Sequence, residues 1–171
     1  IYVGQSFAGL LSRIGPGGNV VNLTSETASV EGVASRRWSV AYTTRAGDNP
    51  SNLVSELKLR KPDGTVRTIA DLAAYEAARN PDQLQRYGFR NLDAECLAQL
   101  PPDLPLAPYT GQIDSHAYAL ANTKGGWFVA DAGANAIFKV TRSGKVSTYF
   151  VFRPQKAIVT AEAAAGLGLP D

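Results

Sequence analysis

Internal repetition constrains this chain more than any other feature. Trp127 to Val146 reads WFVADAGANAIFKVTRSGKV, and it lies without a gap on the segment that runs to Val20 from Tyr2, YVGQSFAGLLSRIGPGGNV. Phe128 falls on Tyr2, Val129 on Val3, Ala134 on Ala8, Ile137 on Leu11, Lys139 on Arg13, Val140 on Ile14, Gly144 on Gly18 and Val146 on Val20. Each copy reads as strand, glycine turn, strand, glycine turn, strand. A unit this short cannot bury its apolar face alone, so neighbouring units must stack.

The rest of the chain sorts around these copies. Residues 2–24 carry strands at 2–5, 10–14 and 19–23, with Pro16-Gly17-Gly18 supplying turn chemistry. Residues 30–71 give a second unit with strands at 30–35, 38–44, 53–60 and 65–70, turning at Lys61-Pro62-Asp63-Gly64. Its last apolar residue, Leu59, stands one position farther from the turn glycine than in the sibling units, which predicts a bulge or slipped register. Residues 72–114 form a helical and proline-rich insertion: helix formers to Arg79 behind an Asp71 N-cap, a short helix within 91–100, and irregular chain over 101–108. Residues 115–153 give the third unit, with strands at 115–121, 127–131, 136–141 and 145–152, and 154–171 a short helix over 157–165 and the tail Leu169-Pro170-Asp171.

Successive units of four antiparallel strands point to an all-β fold, a partial β-propeller of four-stranded blades with a helical and irregular insertion. The first unit lacks a strand before Tyr2, and fewer than three blades cannot close a ring. The chain is therefore expected to be part of a propeller, completed by the rest of its own polypeptide or by another chain; the opening on Ile1 and the lack of methionine fit a processed or internal piece. Blade topology puts the short turns on one face. The long connections (45–52, 72–115 and 153 onward) fall on the other, where binding is expected.

Composition narrows the functions. The formal net charge is +2, and the seventeen basic residues are dispersed, which argues against nucleic acid; the two locally dense stretches, Arg36-Arg37 and Lys58-Leu59-Arg60-Lys61, read as solvated surface. No apolar run reaches the ~20 residues of a membrane span. Asn22-Leu23-Thr24 fits a glycosylation sequon. The lone Cys96 suits a buried apolar residue, a free thiol or half of a bridge to something outside the chain. No Gly-x-Ser-x-Gly, P-loop, HExxH or CxxC motif occurs, so nothing positively supports nucleophilic, phosphate-binding or zinc chemistry.

Val129 to Ile137, followed by Lys139-Val140 and Gly144, resembles the NHL-type blade signature. Four segments together resemble the ScyD/ScyE family of exported bacterial β-propellers: Ile69 to Ala78, Tyr109-Thr110-Gly111 with Asp114-Ser115-His116, Ala130 to Ile137, and Val159 to Ala165. The resemblance implies an extracytoplasmic or secreted protein with more blades and no catalytic residues to carry over. It also implies a cysteine shortly after the segment matching Gly166 to Pro170, which would pair with Cys96 in an oxidising compartment. Ala117 departs from the pattern, since relatives tend to have proline after the histidine.

Four residues are candidates for binding at the channel mouth: Asp114, His116, Asp131 and Asn135. The side-chain oxygens of Asp114, Asp131 and Asn135 suit a hard cation such as Ca²⁺, which would serve a metal-assisted propeller hydrolase or lactonase. Asp131 and Asn135 equally suit a turn in which side chains bond local N–H groups, and His116 suits a satisfied structural position. Glu76 and Glu162 read as solvated helix faces, and Trp38, Tyr42, Trp127 and Phe128 as aromatic residues packed between blades. The leading expectation is a binding or assembly scaffold without catalysis. Its partners would be the remaining blades and an unknown protein or small-molecule ligand.

Overall fold

The computed structural model describes residues 1–102, 104–166 and 168. In chain order the strands are β1 (Tyr2–Gln5), β2 (Leu10–Ile14), β3 (Val20–Ser25), β4 (Ser29–Arg36), β5 (Ser39–Ala46), β6 (Val54–Arg60), β7 (Val66–Asp71), β8 (Arg86–Tyr87), β9 (Tyr109–Thr110), β10 (Ala117–Asn122), β11 (Gly126–Asp131), β12 (Ala136–Thr141) and β13 (Val146–Val151). The helices are α1 (Leu72–Arg79), α2 (Ala94–Ala98) and α3 (Ala161–Gly166). Strand dominates, and every strand pair is antiparallel. The chain forms two compact units, Ile1–Asp82 with Gln112–Phe152, and Gln83–Gly111 with Arg153–Asp171.

The first unit contains three sheets, ordered β1-β2-β3, β4-β5-β6-β7 and β10-β11-β12-β13. Each is a meander whose last hairpin is built the same way. The turn N–H groups of Gly18, Gly64 and Gly144 bond the carbonyls of Gly15, Lys61 and Thr141 at 3.0 Å. The three glycines have φ of 79°, 90° and 89°, left-handed backbone that closes a type I turn with a glycine bulge. A second bulge recurs up each outer strand, where the register jumps past Leu23, Ile69 and Tyr149.

That recurrence corrects the expected slip in the second sheet. Its outer hairpin keeps its siblings' register, and the odd spacing arises because Arg60 occupies the position held by Ile14 and Val140. Its guanidinium donates to the Leu23 and Lys61 carbonyls at 3.1 and 3.3 Å.

The second sheet is buried on both sides. Along β5, Val40 and Tyr42 point toward Leu11 and Val30, while Ala41 joins Leu57, Leu72, Trp127, Val129, Phe138 and Val140 on the opposite side. Period-two alternation thus feeds two cores from one strand, which explains its continuous apolar run. The strands β1, β4 and β10 approach closely because two positions lack a side chain. A Cβ on Gly4 would lie 2.5 Å from the Glu31 carbonyl, and one on Gly32 would lie 3.0 Å from the Ala119 backbone. Buried Thr43 fastens the same junction, accepting from Gly32 N at 2.8 Å and donating to the Ala117 carbonyl at 2.5 Å.

Helix α1 starts where Asp71 caps it, accepting from Ala74 N at 2.8 Å, and ends at Asn80, whose φ of 32° leaves the helical region before Pro81. It packs through Leu72 and through Tyr75, whose ring meets Phe138 edge-on at 5.2 Å. The Tyr75 hydroxyl accepts from Thr148 N at 2.7 Å, beside the bulge of β13.

In the second unit β8 and β9 form a two-stranded ribbon with Tyr87 facing Tyr109, ring centroids 5.4 Å apart; the sequence reading did not anticipate it. Asp93 caps α2 by accepting from Cys96 N at 2.8 Å. Among the described residues of 101–108 there is no strand or helix. The expected helix over 157–165 is shorter, because the Thr160 hydroxyl accepts from Ala163 N at 3.2 Å and sets its start at Ala161. The expected tail Leu169-Pro170-Asp171 lies outside the described residues.

Two aromatic expectations need correction. Trp38 is not a packed strand residue: it sits in the β4–β5 turn with 77% of its surface exposed. Phe128 is only partly buried and lies against Tyr149, whereas Trp127 and Tyr42 are buried as expected.

Candidate functional site

The four candidate residues gather at one end of the third sheet, where β11 turns into β12 and the chain enters β10. Asp131 ends β11 and is 3% exposed. Its Oδ2 accepts from Ser115 Oγ at 2.6 Å, and its Oδ1 accepts from His116 N at 2.7 Å and Ala134 N at 3.1 Å. One carboxylate therefore satisfies three donors and joins two loops, as a charged acceptor in a buried place must. Gly133 fits the loop to the neighbouring chain so closely that a Cβ there would lie 1.5 Å from the Asp114 carbonyl oxygen.

Asn135 has φ of 48°, a conformation its short polar side chain tolerates. Its Nδ2 donates to Asp82 Oδ2 at 2.9 Å and to the Gly133 carbonyl at 3.3 Å. Asp114 is exposed and pairs with Arg45 at 2.9 Å. The His116 ring stacks on Tyr118 with centroids 4.3 Å apart, and its Nε2 lies 3.7 Å from Glu31 Oε1, a contact that becomes an ion pair when the imidazole is protonated. Glu31 also accepts from Ser6 Oγ at 2.6 Å, which ties the first sheet to this corner.

The residue that the sequence reading missed is Glu76. Expected on a solvated helix face, it is completely buried. Helical spacing carried the signal: position 76 follows Leu72 by four and Ala73 by three, so all three share the face that packs inward. Burial, then the Asp131 carboxylate, then Asp82, push its pKa from 4.5 up to about 8. The N–H groups of Asp114 and Ser115 approach and oppose this rise, yet neither Glu76 oxygen receives a hydrogen bond of normal geometry. At neutral pH the carboxyl therefore holds a proton, which lets it sit near two carboxylates without a third negative charge.

Three of the four candidates, Asp131, Asn135 and Asp114, thus make side-chain bonds within the protein. Among the described residues, no three His, Cys, Asp or Glu side chains converge in a metal-ligating arrangement. Cys96 is exposed as a free thiol on α2, and Asp93 beside it raises its pKa. Among the described residues, no helix is long and apolar enough to cross a membrane. No family model, curated protein or solved structure matches this chain.

Proposed function

We propose that this chain is a segment of an exported β-propeller of the ScyD/ScyE kind that serves as a binding or assembly scaffold, its partners being the remaining blades and a ligand held by the loops. The observation that carries the reading is the repeated outer hairpin: the same turn at Gly18, Gly64 and Gly144 and the same bulge at Leu23, Ile69 and Tyr149. Close approach of β4 and β10 through Gly32 is what first strands of adjacent blades require around an axis. A scaffold without catalysis is favoured because Asp131, Asn135 and Asp114 hold loops together. A metal-assisted hydrolase would need Asp131 to give up its three donors and turn its carboxylate toward a cation such as Ca²⁺.

The test is the intact mass and sedimentation of the protein from its native source, with its cell fraction recorded. A scaffold completed by further blades gives a polypeptide or complex larger than 18.1 kDa, found outside the cytoplasm. A native monomer of 18.1 kDa refutes the reading, as does Ca²⁺-dependent lactone hydrolysis abolished by Asp131→Ala.

A further inference from the structure

At the opposite end of the strands from Asp131, the β4–β5 and β10–β11 turns flank a cleft of ≈ 510 Å³ between the second and third sheets. Four cationic side chains line it, Arg36, Arg37, Lys124 and Arg142, together with Trp38 and Trp127, and no carboxylate does. None of the four cations is salt-bridged among the described residues. The volume suits a small molecule. The potential is that of an anion site, since unpaired like charges around a low-dielectric wall reinforce one another.

Three further observations indicate a built site. Arg36 donates to the Thr123 carbonyl at 3.3 Å and Asn122 to the Ser35 carbonyl at 2.9 Å, so the two turns are fastened and the width of the cleft is set. Trp127 is 2% exposed, carries the Arg142 guanidinium 5.3 Å from its ring centre, and leaves its Nε1–H without an acceptor. Arg37 occupies the β4–β5 turn at φ 55°, where hairpins ordinarily place glycine or asparagine. Backbone strain of this kind persists where a side chain is needed in place. The strained residue and the exposed Trp38 that follows it both line the cleft.

We propose that this cleft binds a small aromatic anion, its flat ring against the exposed indole of Trp38 and its charged group among Arg36, Arg37, Lys124 and Arg142. This inference does not depend on the propeller reading.

Trp38 and Trp127 are the chain's only tryptophans, so intrinsic tryptophan fluorescence reads the cleft directly. ADP serves as the probe carrying ring and charge, adenosine as ring alone and pyrophosphate as charge alone. ADP should quench saturably at low ionic strength, and the half-components should bind at least ~10-fold more weakly. Arg37→Gly and Lys124→Gln should each weaken ADP about 10-fold, and Arg37→Gly should at the same time raise the melting temperature by relieving the turn. Absence of saturable quenching overturns the proposal, as does unchanged ADP affinity in both variants. Equal affinity for pyrophosphate and ADP overturns the aromatic half.

Discussion

Replacing Glu76 by glutamine should remove a pH dependence opposite in sign to that of an ordinary paired carboxylate. In the folded protein this carboxyl keeps its proton up to about pH 8, whereas in the unfolded chain it releases it near 4.5. Between those values the folded state binds the extra proton, so stability falls as pH rises, by ~1.4 kcal/mol per pH unit. Across the window the loss is on the order of 5 kcal/mol, a large share of the roughly 5–15 kcal/mol that typically holds a domain together. Its main cause is burial, with Asp131 and Asp82 adding to it. Glu76→Gln keeps the shape and removes the ionisation. Urea unfolding of wild type and variant at about pH 5, 6, 7 and 8, followed by the fluorescence of buried Trp127, measures the difference. The two should be within ~1 kcal/mol near pH 5, and the variant should be the more stable by several kcal/mol near pH 8. Parallel curves across the window would refute the buried, protonated carboxyl.

Asp131→Ala should destabilise by about 3 kcal/mol, since it strands the Ser115 hydroxyl and two backbone N–H groups at once, and Asp131→Asn by less, both read by thermal melting. Gly133→Ala forces a Cβ onto the Asp114 carbonyl, so the loop must shift, with amide exchange speeding at Ala134 and His116; unaltered protection would contradict the close approach. Lys58 bonds Glu26 at 2.8 Å; burial pulls its pKa down, but Glu26 and Glu56 outweigh this and raise it. Its stabilising contribution is therefore present below the ordinary 10.5 and lost as pH rises through the higher folded value, so Lys58→Gln should narrow the alkaline loss seen in wild type. Cys96, exposed and raised by Asp93, should react with maleimide without denaturant, faster at alkaline pH. A native protein that reacts only after reduction would instead support the disulfide expected from the resemblance.

Much of this structure was legible because turns and strands are local. Gly18, Gly64 and Gly144 announce a conformation that other residues avoid, and alternation announces strands, so the three meanders follow from neighbours along the chain. The capping roles of Asp71 and Asp131 are local too, since each bonds an N–H three residues on. By contrast, burial depends on what packs against an element. Glu76 and Trp38 were misread for that reason: one lies under loops from distant sequence, the other on a turn that its strand-like neighbours conceal.

The sequence by itself determined the repeated hairpins, the helical insertion and the residues that lock the β11–β12 turn, because each rests on backbone preferences within a few residues. Only the tertiary structure decided that β5 serves two cores, that Glu76 is sealed beside Asp131, and that four dispersed cations meet two indoles in one cleft. Those facts come from contacts between segments far apart in the chain, where the energy of burial and charge is set by neighbours that no local pattern records.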